Sequence, residues 1–114
     1  MKHSVGKVIT PATLTELFTV PAGYKAEVST LFASNHTGNN KTITLYWQHA
    51  HDITHKIYIV FDYAIHSNNY LQFSDSMVMQ SGDSIQVLTE AGSEMSVIAS
   101  FDLYKENTVP FMAD

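Results

Sequence analysis

Residues 41 to 48 read Lys-Thr-Ile-Thr-Leu-Tyr-Trp-Gln, an alternation that puts Ile43, Leu45 and Trp47 on one side of a pleated strand. Thr42, Thr44, Tyr46 and Gln48 fall on the other side. Successive side chains of a strand point to opposite faces, so a period of two gives one face to bury and one to leave outside. The pattern returns in Asp83–Glu90 and in Met95–Tyr104, with turn formers between the runs. No stretch of useful length carries the period of a helix.

The runs follow one another closely. Residues 1 to 13 read as an arm or an irregular first strand, because Pro11 limits any ladder there. Leu14–Val20 is a strand, Pro21-Ala-Gly-Tyr24 a tight turn, and Lys25–Asn35 the next strand. In that strand Val28, Thr30 and Phe32 are expected opposite Ser29, Leu31 and Ala33. The segment from Ile53 to Ile65 is nearly continuous in apolar residues, which predicts a strand covered on both faces by a second layer or by a neighbouring subunit. Tyr70–Phe73 and Met77–Gln80 read as one bent strand interrupted at Ser74-Asp-Ser76. About eight strands at this spacing predict an all-β antiparallel sandwich, jelly-roll-like, in one domain spanning 1–114. A tail from about 106 follows the last strand.

Composition narrows the chemistry. The net charge of −5 with only six basic residues argues against a nucleic-acid footprint. There is no cysteine, hence no disulfide or thiol chemistry. No apolar run is long enough for a membrane helix, and the basic N-terminus lacks the apolar stretch of a secretory signal, so neither membrane nor secretion is expected. Charged residues make up 15% of the chain, against about 25% in ordinary soluble domains, and Thr, Ser, Asn and Gln carry solubility instead. A weakly charged polar surface suits close packing against other subunits.

Catalytic motifs are missing. The carboxylates are scattered over different strands and turns, and no nucleophile elbow, phosphate loop or His-Glu-x-x-His helix occurs. His49, His51 and His55 cluster around one turn. Cupins, which are metal-binding jelly rolls, follow a His-x-His pair with a Glu. Here His55 takes that place and the framing glycines are missing, so the cluster reads as a polar turn and no cofactor or metal is expected. Aromatic residues are numerous, and a row of them on an exposed face would suit sugar stacking. The reading preferred here makes Trp47 and Phe61 core residues and gives the tyrosines of the opposite faces to an interface. The tail Asn107-Thr-Val-Pro-Phe-Met112 carries Val109, Phe111 and Met112, which are costly to expose and therefore fold back on the core or dock on a neighbour.

At Leu17-Phe-Thr-Val-Pro-Ala-Gly-Tyr-Lys-Ala-Glu-Val28 the chain resembles small virion proteins of tailed bacteriophages. Asn35 at the end of the following strand, the Thr-rich strand from Lys41 to Trp47 and Gly82-Asp-Ser-Ile-Gln-Val87 extend the resemblance over residues 14–104. The turn at 49–55, the apolar strand at 57–65 and the tail depart from it. The resemblance implies a virion structural subunit without an active site, assembled in the host cytoplasm. The expected role is a head decoration (cement) protein bridging capsid subunits as a homotrimer, with the major capsid protein or other virion subunits as partners. Alternatives are a neck, tail or baseplate adaptor or fibre-anchoring component, and a carbohydrate-binding module. The expected interface residues are His49, His51, His55, Tyr46, Tyr58, Val109, Phe111 and Met112.

Overall fold

The computed structural model describes residues 2–50 and 52–106, and the described residues form two antiparallel sheets. One sheet contains β1 (Lys2–Ile9), β9 (Met95–Lys105), β3 (Tyr24–Asn35) and two short strands, β6 (Tyr70–Phe73) and β7 (Met77–Met79). The other contains β2 (Thr15–Thr19), β8 (Ser84–Thr89), β4 (Lys41–His49) and β5 (Asp52–Ile65). β6 and β7 both pair with β3, in registers one residue apart, and together they act as one bent strand. The layers then run β1-β9-β3-β6/β7 and β2-β8-β4-β5. The chain changes layer at nearly every connection, which is the double Greek key of a jelly roll and an antiparallel β-sandwich as expected.

Of the two expectations for residues 1–13, a strand is what forms. Lys2 through Ile9 pair with β9 in unbroken register, and Pro11 lies just beyond the last pair, where it costs no ladder bond. The Pro21–Tyr24 turn closes with the Tyr24 N–H donating to the Pro21 carbonyl at 3.1 Å. Gly23, at φ 84°, supplies the left-handed conformation that such a turn needs at its third position.

The core lies between the layers and uses one side-chain row per strand. Ile43 and Leu45 of β4, Ile85 and Val87 of β8, and Met95, Val97 and Ala99 of β9 are all at most 1% exposed. Each such large apolar side chain contributes roughly 1.5–3 kcal/mol by leaving water.

One expected pattern is corrected and another is narrowed. In β3 the alternation does not run through. Val28 pairs with Phe101 but Thr30 with Ser100, so Ser29 is one residue too many. The inward row is Ala26 and Val28 before this bulge and Leu31, Ala33 and Asn35 after it. An extra residue in a ladder switches the parity of everything beyond it. Ser29 donates its hydroxyl to the Ser100 carbonyl at 3.2 Å, and Phe32 is sent outward, where its ring stacks on Tyr70 at 5.1 Å. The narrowed one is β5, an edge strand whose exposed apolar residues no other described layer covers, which leaves a neighbouring subunit of the two covers expected for it.

Asn35 ties the loops at one end of the sandwich together. Buried to 1% exposure, it donates Nδ2 to the carbonyls of Ile65 and Asn39, each at 2.9 Å, while Oδ1 accepts from the N–H and hydroxyl of Thr37. Replacing it with alanine strands several of these groups away from water, where each unpaired buried group costs about 1–3 kcal/mol. Asn35→Ala is therefore expected to lower stability by about 3 kcal/mol in urea unfolding. A loss below about 0.5 kcal/mol would mean that the loops hold without it.

Candidate functional site

β4 is flanked on both sides, so even its outer row is covered. Tyr46 faces outward yet is 3% exposed, because Tyr58 of β5 meets its ring edge-on at 5.9 Å and the Lys56 ammonium stands 5.0 Å from the ring centre. Phe61 in turn meets Tyr58 edge-on at 4.9 Å. This line of rings follows from irregular pairing. Ile43 pairs with Tyr63 but Leu45 with Val60, so β5 bulges at Phe61 and Asp62. Asp62 takes φ 47°, and its N–H donates to the Thr44 hydroxyl at 3.0 Å, which satisfies the bulge. The result is an apolar edge on which Ile57, Tyr58, Phe61 and Tyr63 are between 43% and 63% exposed.

A second surface is the outer face of the β1-β9-β3 layer. Ile98 lies between Gly6 on one side and Phe32 on the other, in a row of register partners. Around it stand Ser4 paired with Ser100, and Val8 and Ser34 each paired with Ser96. Val8 is 82% exposed and Tyr70 58%. Charges gather at one end, where Lys2 pairs with Asp102 at 3.5 Å and the Tyr104 hydroxyl donates to Glu27 at 3.3 Å. Desolvation, and then the Asp102 and Glu27 carboxylates, push that hydroxyl above its ordinary range, so it remains a neutral donor. The middle of the face carries small polar groups and isolated apolar ones, a composition that is cheap to desolvate.

The histidine turn is built around a carboxylate. Asp83 is 1% exposed and accepts from Trp47 Nε1 at 3.0 Å, from the Ala50 N–H at 3.0 Å and from the Gln80 N–H at 2.9 Å. His49 places Nδ1 3.7 Å from the same carboxylate and leans on the Trp47 ring at 4.8 Å. Gly82, at φ 86°, leaves room for Ala50, whose Cβ would lie 2.7 Å from a side chain there. Three N–H donors meet the buried negative charge, and the pairing pins the indole. Trp47 is half-buried and packed on the core, so it does not stand free as a sugar platform. Phe61, expected in the core, is the corrected member of that pair: the bulge turns it to solvent.

The expected interface residues are thus dispersed. Tyr58 is at the surface and Tyr46 beneath it, where Tyr46 supports the exposed ring and offers no face of its own. His49 belongs to the Asp83 turn. His51, the side chain of His55, and Val109, Phe111 and Met112 lie outside the described residues. Among the described residues no three His, Asp or Glu side chains are placed to hold a metal ion. The sequence reading did not single out Ile98, Val8 or Phe32, whereas Tyr70 is one of the tyrosines it gave to an interface. The signal for Ile98 was a single apolar residue at an outward position between Ser96 and Ser100, and for Val8 one that follows Ser4 and Gly6 in the outward row.

No family model matches the chain, and no curated protein does. Solved structures do match. One is a chain of the acid-stable capsid of Helicobacter pylori bacteriophage KHP30, 10% identical, with TM-score 0.60 and 93% of each chain covered. Another comes from Bacillus endospore appendages, described as disulfide-linked pili: 14% identical, TM-score 0.56, covering 94% of this chain and 87% of that one. A third is from infectious bursal disease virus, Gx strain, 9% identical, TM-score 0.52, covering 96% of this chain but 32% of that one. These are components of viral particles and of a pilus. At such identities the likeness shows the fold.

Asp83→Ala leaves three buried donors unpaired and is expected to cost about 3–5 kcal/mol. Phe61→Ser removes an exposed ring and is expected to change stability by about 0.5 kcal/mol or less in the isolated chain. Equal losses in thermal or urea unfolding would contradict the assignment of one as structural and the other as free surface.

Proposed function

We propose that this chain is a structural protein of a bacteriophage virion, a capsid decoration (cement) protein that binds across neighbouring capsid subunits as a homotrimer. The observation that carries this reading is a small jelly roll whose apolar residues are divided between a complete core and two outward surfaces that the described residues leave uncovered. Val8, Ile98 and Tyr70 on one face, and Ile57, Tyr58, Phe61 and Tyr63 on the other, exceed what a solitary domain needs to expose.

The capsid neighbour supports the reading in a particular way. It matches over nearly the full length of both chains, so it is a subunit of about this size, whereas the bursal disease virus chain is about three times as long. The pilus neighbour is linked by disulfides, and a chain with no cysteine has no counterpart to that linkage. The sugar-binding alternative loses its main support where Trp47 is tied to Asp83.

Mechanically, a decoration protein opposes the separation of capsid subunits. Each copy adds buried area at a junction, and modest contacts repeated over many copies sum to a large resistance. Quantitative mass spectrometry of purified particles is expected to give this chain at one copy, or a simple fraction of a copy, per major capsid subunit. A trace but constant amount would move it to the neck or tail, and absence from the particle would overturn the virion reading.

A further inference from the structure

The end of the sandwich at Ile9 and Met95 carries a cleft of about 710 Å³ between the end of β1 and the start of β9. Val8, Ile9, Pro11 and Met95 make its walls apolar, and Glu94 and His36 are the charged or titratable groups lining it. Inside it lies an unfinished hydrogen bond. Ser93 is 2% exposed, lines the cleft, and its hydroxyl has no partner among the described residues. Buried hydroxyls nearly always have partners, so this group awaits one.

We propose that the C-terminal segment Asn107–Met112 of a second copy of this chain fills the cleft, with Val109 and Phe111 against its walls. The segment is uncharged, matching walls that are mostly apolar. Pro110 biases the residue before it toward an extended conformation, which lowers the entropy cost of laying the segment into a groove.

Reach decides that the segment comes from another copy. β9 starts at the cleft with Met95 and runs ten residue steps to Lys105, a span of about 33 Å. Phe111 is six residues beyond Lys105, at most about 21 Å of fully extended chain. A tail leaving the far end of the subunit cannot turn back and bring Phe111 to its own cleft. Joining the tail end of one subunit to the cleft end of the next is a heterologous contact, which closes into a ring when the rotation allows and otherwise extends as a filament. The proposal deepens the assembly reading above, since a ring of three is the oligomer put forward there.

The test uses sedimentation velocity on the full chain, a chain ending at Glu106, and the variant Val8→Asp. Val8 is 82% exposed, so the variant leaves the fold alone. The full chain is expected to self-associate and the shortened chain to be monomeric, with Val8→Asp weakening association at least tenfold. A mixture of the last two is expected to form a one-to-one complex, because one supplies a tail and the other an intact cleft. A shortened chain that keeps the full oligomer, or a mixture that stays monomeric, would overturn the proposal. Should Val8→Asp fail to fold, a synthetic peptide of residues 106–114 titrated into the shortened chain gives the same answer: saturable binding supports it and no binding overturns it. These outcomes are independent of copy number in particles, so either idea can fail alone.

Discussion

Burial of one side-chain row per strand, between two layers of four strands, is the interaction on which the rest of this molecule depends. Ile43 and Leu45, Ile85 and Val87, and Val97 and Ala99 come from neighbouring positions in the two sheets and are almost wholly removed from water. Once that row is fixed, so is everything that faces the other way. The bulge at Ser29 keeps the row continuous across β3, and the consequence on the outside is that Phe32 joins Tyr70 at the surface. Loop order at the two ends depends on the same burial, because Asn35 and Asp83 can gather backbone donors and acceptors only when the strands carrying them are in place.

What is left outside is unusual in kind. The core is complete without Ile98, Val8, Phe61 or Tyr63, so their apolar character is not accounted for by folding. The outward positions around Ile98 are serine and glycine, and the β5 edge carries few charges. Edge strands that stay single are commonly blunted by charges, prolines or bulges; β5 has bulges and the charges of Lys56 and Asp62, yet leaves Ile57, Tyr58, Phe61 and Tyr63 exposed. Low charge and exposed apolar area together describe a surface shaped for other protein. That description, and not any arrangement of reactive groups, is where the structure points.

Much of the architecture was legible in the sequence because alternation survives translation into structure. The strands at 14–20, 41–48 and 95–105, the Pro21–Tyr24 turn and the bent strand at 70–80 all fall where the pattern puts them. What escaped shares one cause: it depends on partners in space. A bulge is set by the facing strand, so Lys25–Asn35 read as one alternation when it holds two. An apolar run reads the same whether a second layer or an outside partner covers it, so Ile53–Ile65 did not show that it is an edge strand. Pro11 left residues 1–13 open between an arm and an irregular strand, and pairing with β9 decides for the strand. Among the interface residues, Tyr58 was legible as an outward tyrosine, but Phe61 was not, because a left-handed Asp62 decides its direction.

A virion subunit of this kind has its two outward apolar surfaces covered in the assembled particle. Hydroxyl-radical footprinting of the chain, free and within purified virions, tests it at the side chains concerned. Strong protection in the particle is expected of Tyr58, Phe61 and Tyr63 and of Tyr70 and Ile98, with Ile43 and Val87 unlabelled in either state. Equal labelling of all five exposed residues in the free and assembled chain would contradict it.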